Sequence, residues 1–328
     1  MPKFLLRSPV RALATATALT AAAVFAAPSV SSAGDIDKIH FLIPGGAGGG
    51  WDGTARGTGE ALTKAGLVGH ASFENMSGGG GGKAIAHIIE TASRQSGTLM
   101  VNSTPIVLRS LRGTFPQSFR DLTPIAAIIG DYGAFVVRPD SPLQSWDDAV
   151  AAYNDNPKKF KVAGGSVKGG MDHLVAALAF KASGADTNKV RYISYDAGGK
   201  AMAGLLSGET SMLSTGLGEA LEQSKAGQVR ILCITSTEAV DSVPPCGPGI
   251  EFVNWRGFFG APGLDSATAD KYAATLGKMY DTGEWETVRA RNGWVNIYKP
   301  RAEFVTFLEE QEGAMKDLLN GLGIKTVR

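Results

Sequence analysis

Little in this sequence is suited to covalent catalysis. Its 328 residues hold two cysteines and four histidines. His40, His70, His87 and His173 are scattered without the spacing of a metal site, and Cys233 with Cys246 alone makes no zinc site. No G-x-S-x-G elbow is present, and the serines fall in flat glycine loops, which removes the usual hydrolase arrangement. An excess of one charge sign is missing too, with 32 Lys+Arg against 31 Asp+Glu. Such balance gives no general attraction to nucleic acid or to an anionic membrane surface. Any anion must therefore be caught by local geometry.

What is present begins with a leader. Lys3, Arg7 and Arg11 precede an apolar stretch from Ala12 to Ala27, and Ser31-Ser32-Ala33 closes it on small residues. This pattern predicts a secretory signal peptide over 1–33 and an exported, periplasmic protein. Without those residues Lys+Arg is 29 against 31 Asp+Glu, a net charge of −2. After the leader no segment approaches the run of about 20 apolar residues that a membrane span needs. In an oxidising compartment Cys233 and Cys246 either close a disulfide across a short loop or remain two unrelated thiols.

The exported part alternates strand, glycine loop and helix. Ile36 to Ile43 reads as a strand, followed by Gly45-Gly46-Ala47-Gly48-Gly49-Gly50 and a helix from Thr54 to Ala65 with Asp52 as its N-cap. Strands at 71–74 and 98–101 flank a helix from Lys83 to Ser93, which argues parallel pairing over this stretch. Two further strands are expected at 125–129 and 134–137. From Pro139 the order starts again, with a second glycine loop at 164–170 opening a helix at Met171. Two α/β lobes facing one cleft are expected, each a mixed sheet flanked by helices: 34–137 plus 251–328, and 138–250. The connections near 138 and 250 serve as the hinge.

A strand that ends in a glycine loop and opens a helix gathers backbone N–H groups and the positive end of the helix dipole, a site for carboxylate or phosphate. Three such loops occur, at 45–50, 77–82 and 164–170, the last two with Ser77 and Ser166. One loop alone would be read as a tight turn; three argue a shared anion-binding cleft. Two enzyme motifs lie close by. Gly48-Gly49-Gly50-Trp51-Asp52-Gly53 fits G-x-G-x-x-G, with Glu74 after the next strand. Its glycines start several residues after the strand, however, and Trp51 stands where a pyrophosphate would approach. Ser77 through Lys83-Ala84 imitates a P-loop but lacks its first glycine and its hydroxyl after lysine. No cofactor or metal is expected. Trp51 is expected to wall the cleft. His173 either faces the cleft or bonds backbone or Asp172. Arg256 is read as a structural ion-pair residue rather than a carboxylate fork.

These residues resemble a known family. Phe41-Leu42-Ile43-Pro44-Gly45-Gly46-Ala47-Gly48-Gly49-Gly50-Trp51-Asp52, Glu74-Asn75, Gly164-Gly165-Ser166 through Asp172-His173-Leu174, Tyr195-Asp196-Ala197-Gly198-Gly199 and Asn254-Trp255-Arg256-Gly257-Phe258 follow in the order of tripartite tricarboxylate transporter receptors, the TctC-like or Bug proteins. The resemblance covers nearly the whole exported chain. It implies a monomeric periplasmic receptor that closes on a small carboxylate, such as citrate or a related di- or tricarboxylate, and hands it to membrane permease subunits. A sensor feeding a signalling kinase is the alternative output; a nucleotide-dependent or hydrolytic enzyme is the more distant one. Carried over, the ligand residues are Gly46, Ala47, Gly48, Gly49, Trp51, Asp52, Ser77, Ser103, Thr104, Gly165, Ser166, Gly170, Met171, His173, Asp196, Thr215 and Gly216. The five-glycine run departs from the family's proline-containing loop, which implies a looser grip or room for a larger anion.

Overall fold

The computed structural model describes residues 36–327; the signal peptide expected over 1–33 lies outside the described residues. The first apolar run forms β1 (Ile36–Ile43), with Ile39, Phe41, Leu42 and Ile43 all buried. Both faces of a strand inside an α/β sheet are covered, so the run is continuous rather than alternating. After it come α1 (Gly50–Lys64), β2 (Val68–Asn75), α2 (Gly82–Glu90), β3 (Thr98–Ser103) and α3 (Thr104–Arg112). The next strand, β4 (Thr123–Val137), is 15 residues long.

A second set follows: α4 (Trp146–Asp155), β5 (Lys161–Gly164), α5 (Met171–Ala182), β6 (Arg191–Ser194), α6 (Gly198–Leu206), β7 (Met212–Gly216), α7 (Leu217–Lys225) and β8 (Arg230–Ile234). The chain then returns through β9 (Val253–Gly260), α8 (Ser266–Met279), α9 (Gly283–Asn292), β10 (Val295–Pro300) and α10 (Arg301–Gly321). Ser145 caps α4 through a reciprocal box with Asp148, as a Ser followed by an acid three residues on should.

The strand order is β2-β1-β3-β9-β4-β7-β5-β6, with β10 and β8 pairing on β4. Strand β1 is parallel to β2 and β3, and β5 is parallel to β6 and β7. Between these parallel sets, β9 and β4 run antiparallel, so the sheet is mixed. Two expectations are corrected here. The strands foreseen at 125–129 and 134–137 are one element, because Gly130-Asp131-Tyr132-Gly133 runs straight on instead of turning. That strand pairs with β9 up to Tyr132 and with β7 from Gly133 onward, so it joins both halves of the sheet. In addition, β10 interrupts the helices expected at the C-terminus, and α10 packs on α3 and β4.

Aromatic side chains fill both halves. Phe41 stacks on Phe73 at 5.5 Å, and Tyr153 stacks on Phe180 at 4.3 Å with Trp146 alongside. Each fully buried ring of this kind contributes roughly 1.5–3 kcal/mol. Cys233 of β8 is disulfide-bonded to Cys246, which ties the Pro244-Pro245 loop back to that strand.

Candidate functional site

A cavity of about 480 Å³ opens where the carboxyl ends of β1, β3, β5 and β7 converge. This is where open α/β sheets place ligands. Its first wall is the glycine loop after β1. Helix α1 starts at Gly50 with Gly49 as N-cap, four residues before the expected start, so Asp52 is not the cap. It sits in the first turn instead. Its Oδ2 accepts the Gly48 N–H at 3.0 Å, while Oδ1 takes Arg56 at 2.8 Å and Asn75 at 3.0 Å. A glycine cap has no side chain to offer, and an acid in the first turn compensates the helix dipole. Trp51 projects into the wall, its Nε1 donating to Ser103 Oγ at 2.9 Å.

Gly46 and Gly49 pack directly on the loop from the other half of the chain. A Cβ on either would lie 3.1 or 3.2 Å from the Ala197 methyl. Ser77 donates to Asp196 across the same gap, and Arg112 donates to the Gly169 carbonyl at 2.7 Å.

The glycine run supplies the second wall. Gly78, Gly79, Gly80 and Gly81 all have positive φ, at 141°, 58°, 60° and 95°, a conformation that side chains resist. The resulting turn points the carbonyls of Gly79 and Gly80 at Nη1 of Arg109, the former at 2.9 Å. Arg109 Nε also donates to Pro105 at 3.3 Å, and the guanidinium lies 5.5 Å from the Phe115 ring centroid. Arg109 lines the cleft yet is only 8% exposed, and no carboxylate among the described residues pairs with it. Burial lowers its pKa to about 10, which leaves it charged at neutral pH. A buried cation with carbonyl partners but no counter-charge is costly for a protein to keep.

Acids form the floor. Arg256 Nη2 lies 2.8 Å from Asp131 Oδ2, both groups almost fully buried. Glu219, in the first turn of α7, wedges its carboxyl between two glycines: a Cβ on Gly198 would fall 1.6 Å from Oε2, and one on Gly50 3.1 Å from Oε1. Enclosure by protein, with Asp172 adding to it, pushes the Glu219 carboxyl up to about 8 against the pull of Arg256, although part of its surface still opens to the cleft. Asp172 is pushed up to about 6 by burial, in spite of hydrogen bonds from Ser166 and Gly165. Burial also raises Asp131, offset by Arg256 and the Gly218 and Leu217 amides.

The family model for the tripartite tricarboxylate transporter family receptor, TctC, matches residues 56–324. The chain belongs to the TctC receptor family. A UPF0065 protein from the tcbD-tcbE intergenic region of Pseudomonas sp. strain P51 is 24% identical over 250 residues, 73% of each chain. Among solved structures, the periplasmic binding protein BugD matches with a TM-score of 0.78 at 18% identity, over 88% of this chain and 98% of its own. MatC from Rhodopseudomonas palustris, solved with bound malate, matches with a TM-score of 0.75 at 19% identity, over 87% and 99%. These two share the fold.

Of the residues carried over from the TctC pattern, Gly46, Gly49, Trp51, Ser77, Ser103, Gly165, Ser166, Gly170, Met171, Asp196, Thr215 and Gly216 line the cleft. Five do not. Ala47 and Gly48 are exposed on the outside of the loop, and Asp52 is turned toward Arg56 and Asn75. Thr104 is wholly buried at the start of α3. His173 Nδ1 accepts the Gly169 N–H at 2.9 Å and its ring lies 4.7 Å from Tyr192, so it shapes the loop, as the backbone-bonding alternative foresaw. Ser166 lines the cleft, but its hydroxyl already accepts from the Asp172 N–H and bonds Tyr192.

Other residues of the cleft wall were not among those carried over from the TctC pattern. Arg109, Arg112, Asp131, Asp172 and Glu219 all line the cleft. Arg256 makes the structural pair expected of it and lines the cleft as well. The spacing Arg109-x-x-Arg112 was the available signal, since two cations three apart share one helix face.

Proposed function

We propose that this chain is a periplasmic receptor that captures a small carboxylate in the cleft and delivers it to the permease of a tripartite tricarboxylate transporter. The observation that carries the reading is Arg109, a buried guanidinium in the cleft wall with no carboxylate partner among the described residues. A ligand carboxylate supplies the missing counter-charge, and charge-assisted pairing in a desolvated site is the strong form of such contacts. Family membership and the malate held by MatC support the same class of ligand. Citrate and related di- or tricarboxylates are the first candidates from the family's description.

In this reading residues 34–137 plus 251–328 form one lobe and 138–250 the other. The ligand favours the closed arrangement because only there do groups from both lobes reach it: Arg109, Trp51 and Ser103 on one side, Gly165 to Met171, Thr215 and Gly216 on the other. Ser77 with Asp196 and Arg112 with Gly169 are the latch contacts between them. The buried carboxyls serve binding, and a receptor releases its ligand unchanged.

Thermal denaturation against a broad panel of organic acids tests this. A ligand present at 100 times its Kd stabilises by about 2.7 kcal/mol, a clear rise in Tm. No rise with any acid of the panel would contradict the reading.

A further inference from the structure

The cleft lining carries charge of both signs. Arg109 and Arg112 are held on the carbonyls of Gly79 and Gly169, and Lys168 lines the cleft with them. One guanidinium, Arg256, serves three carboxyls, Asp131, Asp172 and Glu219, while Asp196 is already taken by Ser77 and Lys200. Asp131 holds that guanidinium at 2.8 Å, so Asp172 and Glu219 share only its residual field. Asn254, which faces Asp131 in the β4–β9 register and lines the same cleft, has a side-chain oxygen with no hydrogen-bond donor among the described residues.

The unmet needs are therefore of two kinds. Buried Arg109 requires a negatively charged acceptor, whereas the Asn254 oxygen requires a donor, and Glu219 and Asp172, crowded with Asp131 around one guanidinium, favour a cation. A second or third carboxylate placed on that floor would add to a charge that is already in excess.

We infer that the ligand is a carboxylate that also carries a protonated amine, with its carboxylate toward Arg109 and its ammonium toward Glu219 and Asp172. This rests on the receptor reading above and puts amino-carboxylates ahead of citrate. The raised proton affinity of Glu219 agrees with it: an approaching ammonium draws that carboxyl into the charged form, so binding near neutral pH releases a proton.

Calorimetric titration of the exported chain with matched pairs tests the inference: aspartate against succinate, glutamate against glutarate, 4-aminobutyrate against butyrate, with citrate alongside. Each is run at pH 7 in two buffers of different ionisation enthalpy. In at least one pair the amino member is expected to bind tenfold or more tighter than its partner, with net proton release. Glu219→Gln is expected to remove that advantage and reduce the release; Asp172→Asn is the second variant if the first does not fold. Equal or tighter binding by the members without an amine, or binding of citrate alone, overturns the inference and leaves the receptor reading standing. Failure of every carboxylate to bind overturns both.

Discussion

Arg256 and Asp131 form a buried ion pair at 2.8 Å that joins β9 to the middle of β4, 125 residues apart in sequence. Arg256 also donates to Thr54 of α1 at 3.2 Å, so three elements meet at one guanidinium. Removing one partner leaves the other charge buried alone. Arg256→Met is expected to lower the unfolding free energy by about 3–5 kcal/mol, measured by urea denaturation. Asp131→Leu added to it should restore part of that loss, since no unpaired charge then remains.

The glycine run gives a second prediction. A Cβ on Gly80 would meet nothing closer than 3.5 Å, so space does not forbid alanine there. Its φ of 60° does. Gly80→Ala is expected to cost about 1–2 kcal/mol of stability. Ligand affinity should fall with it, because the Gly80 carbonyl fixes Arg109. Equilibrium denaturation and a binding titration on the same variant check both effects.

The acid floor fixes the sign of a pH effect. Glu219 and Asp172 titrate near 8 and 6 in the folded chain, while unfolded carboxyls titrate near 4. Between about pH 4 and 8 the native state therefore holds protons that the unfolded state has released. The stability from these groups is full below pH 4 and is lost as pH rises toward 8. Urea midpoints at pH 5, 6.5 and 8 should decline, and Glu219→Gln should flatten the decline.

The disulfide makes a separate prediction. Cys233 and Cys246 are 13 residues apart, and closing a loop of that size stabilises by about 3 kcal/mol in the chain-entropy account. A Cys233→Ser, Cys246→Ser variant should unfold at lower urea by that amount. The wild type measured with a reductant should move toward it.

Much of the frame was legible in the sequence, for local reasons. A continuous apolar run before a glycine loop marks β1, and the second glycine loop marks the start of α5 at Met171. What escaped depended on distance along the chain. Asp131 sits between glycines in a turn-like tetrapeptide, and the strand β9 that pairs with it and brings Arg256 to it lies 125 residues further along the chain. Helix α3 was hidden because Pro105 after Thr104 reads as a break, although proline is well tolerated in the first turn of a helix. Missing α3 meant missing Arg109, and with it the buried charge in the cleft wall. The glycine loops were located correctly as walls. The expectation that loop amides and serine hydroxyls capture the anion did not foresee that Asp52 already takes the Gly48 amide and Asp172 those of Gly165 and Ser166. Glu219 was beyond local reading, since its surroundings come from α1, α5 and α6.

The most direct test of the central claim is isothermal titration of one carboxylate panel into wild type and Arg109→Gln, side by side. Truncating one side of a buried, hydrogen-bonded charge pair typically costs 2–5 kcal/mol or more. The account predicts that a small carboxylate binds the wild type and that Arg109→Gln, still folded by its melting curve, loses at least about thirtyfold in affinity. Equal binding by the two proteins, or no binding to the wild type by any member of the panel, would contradict it.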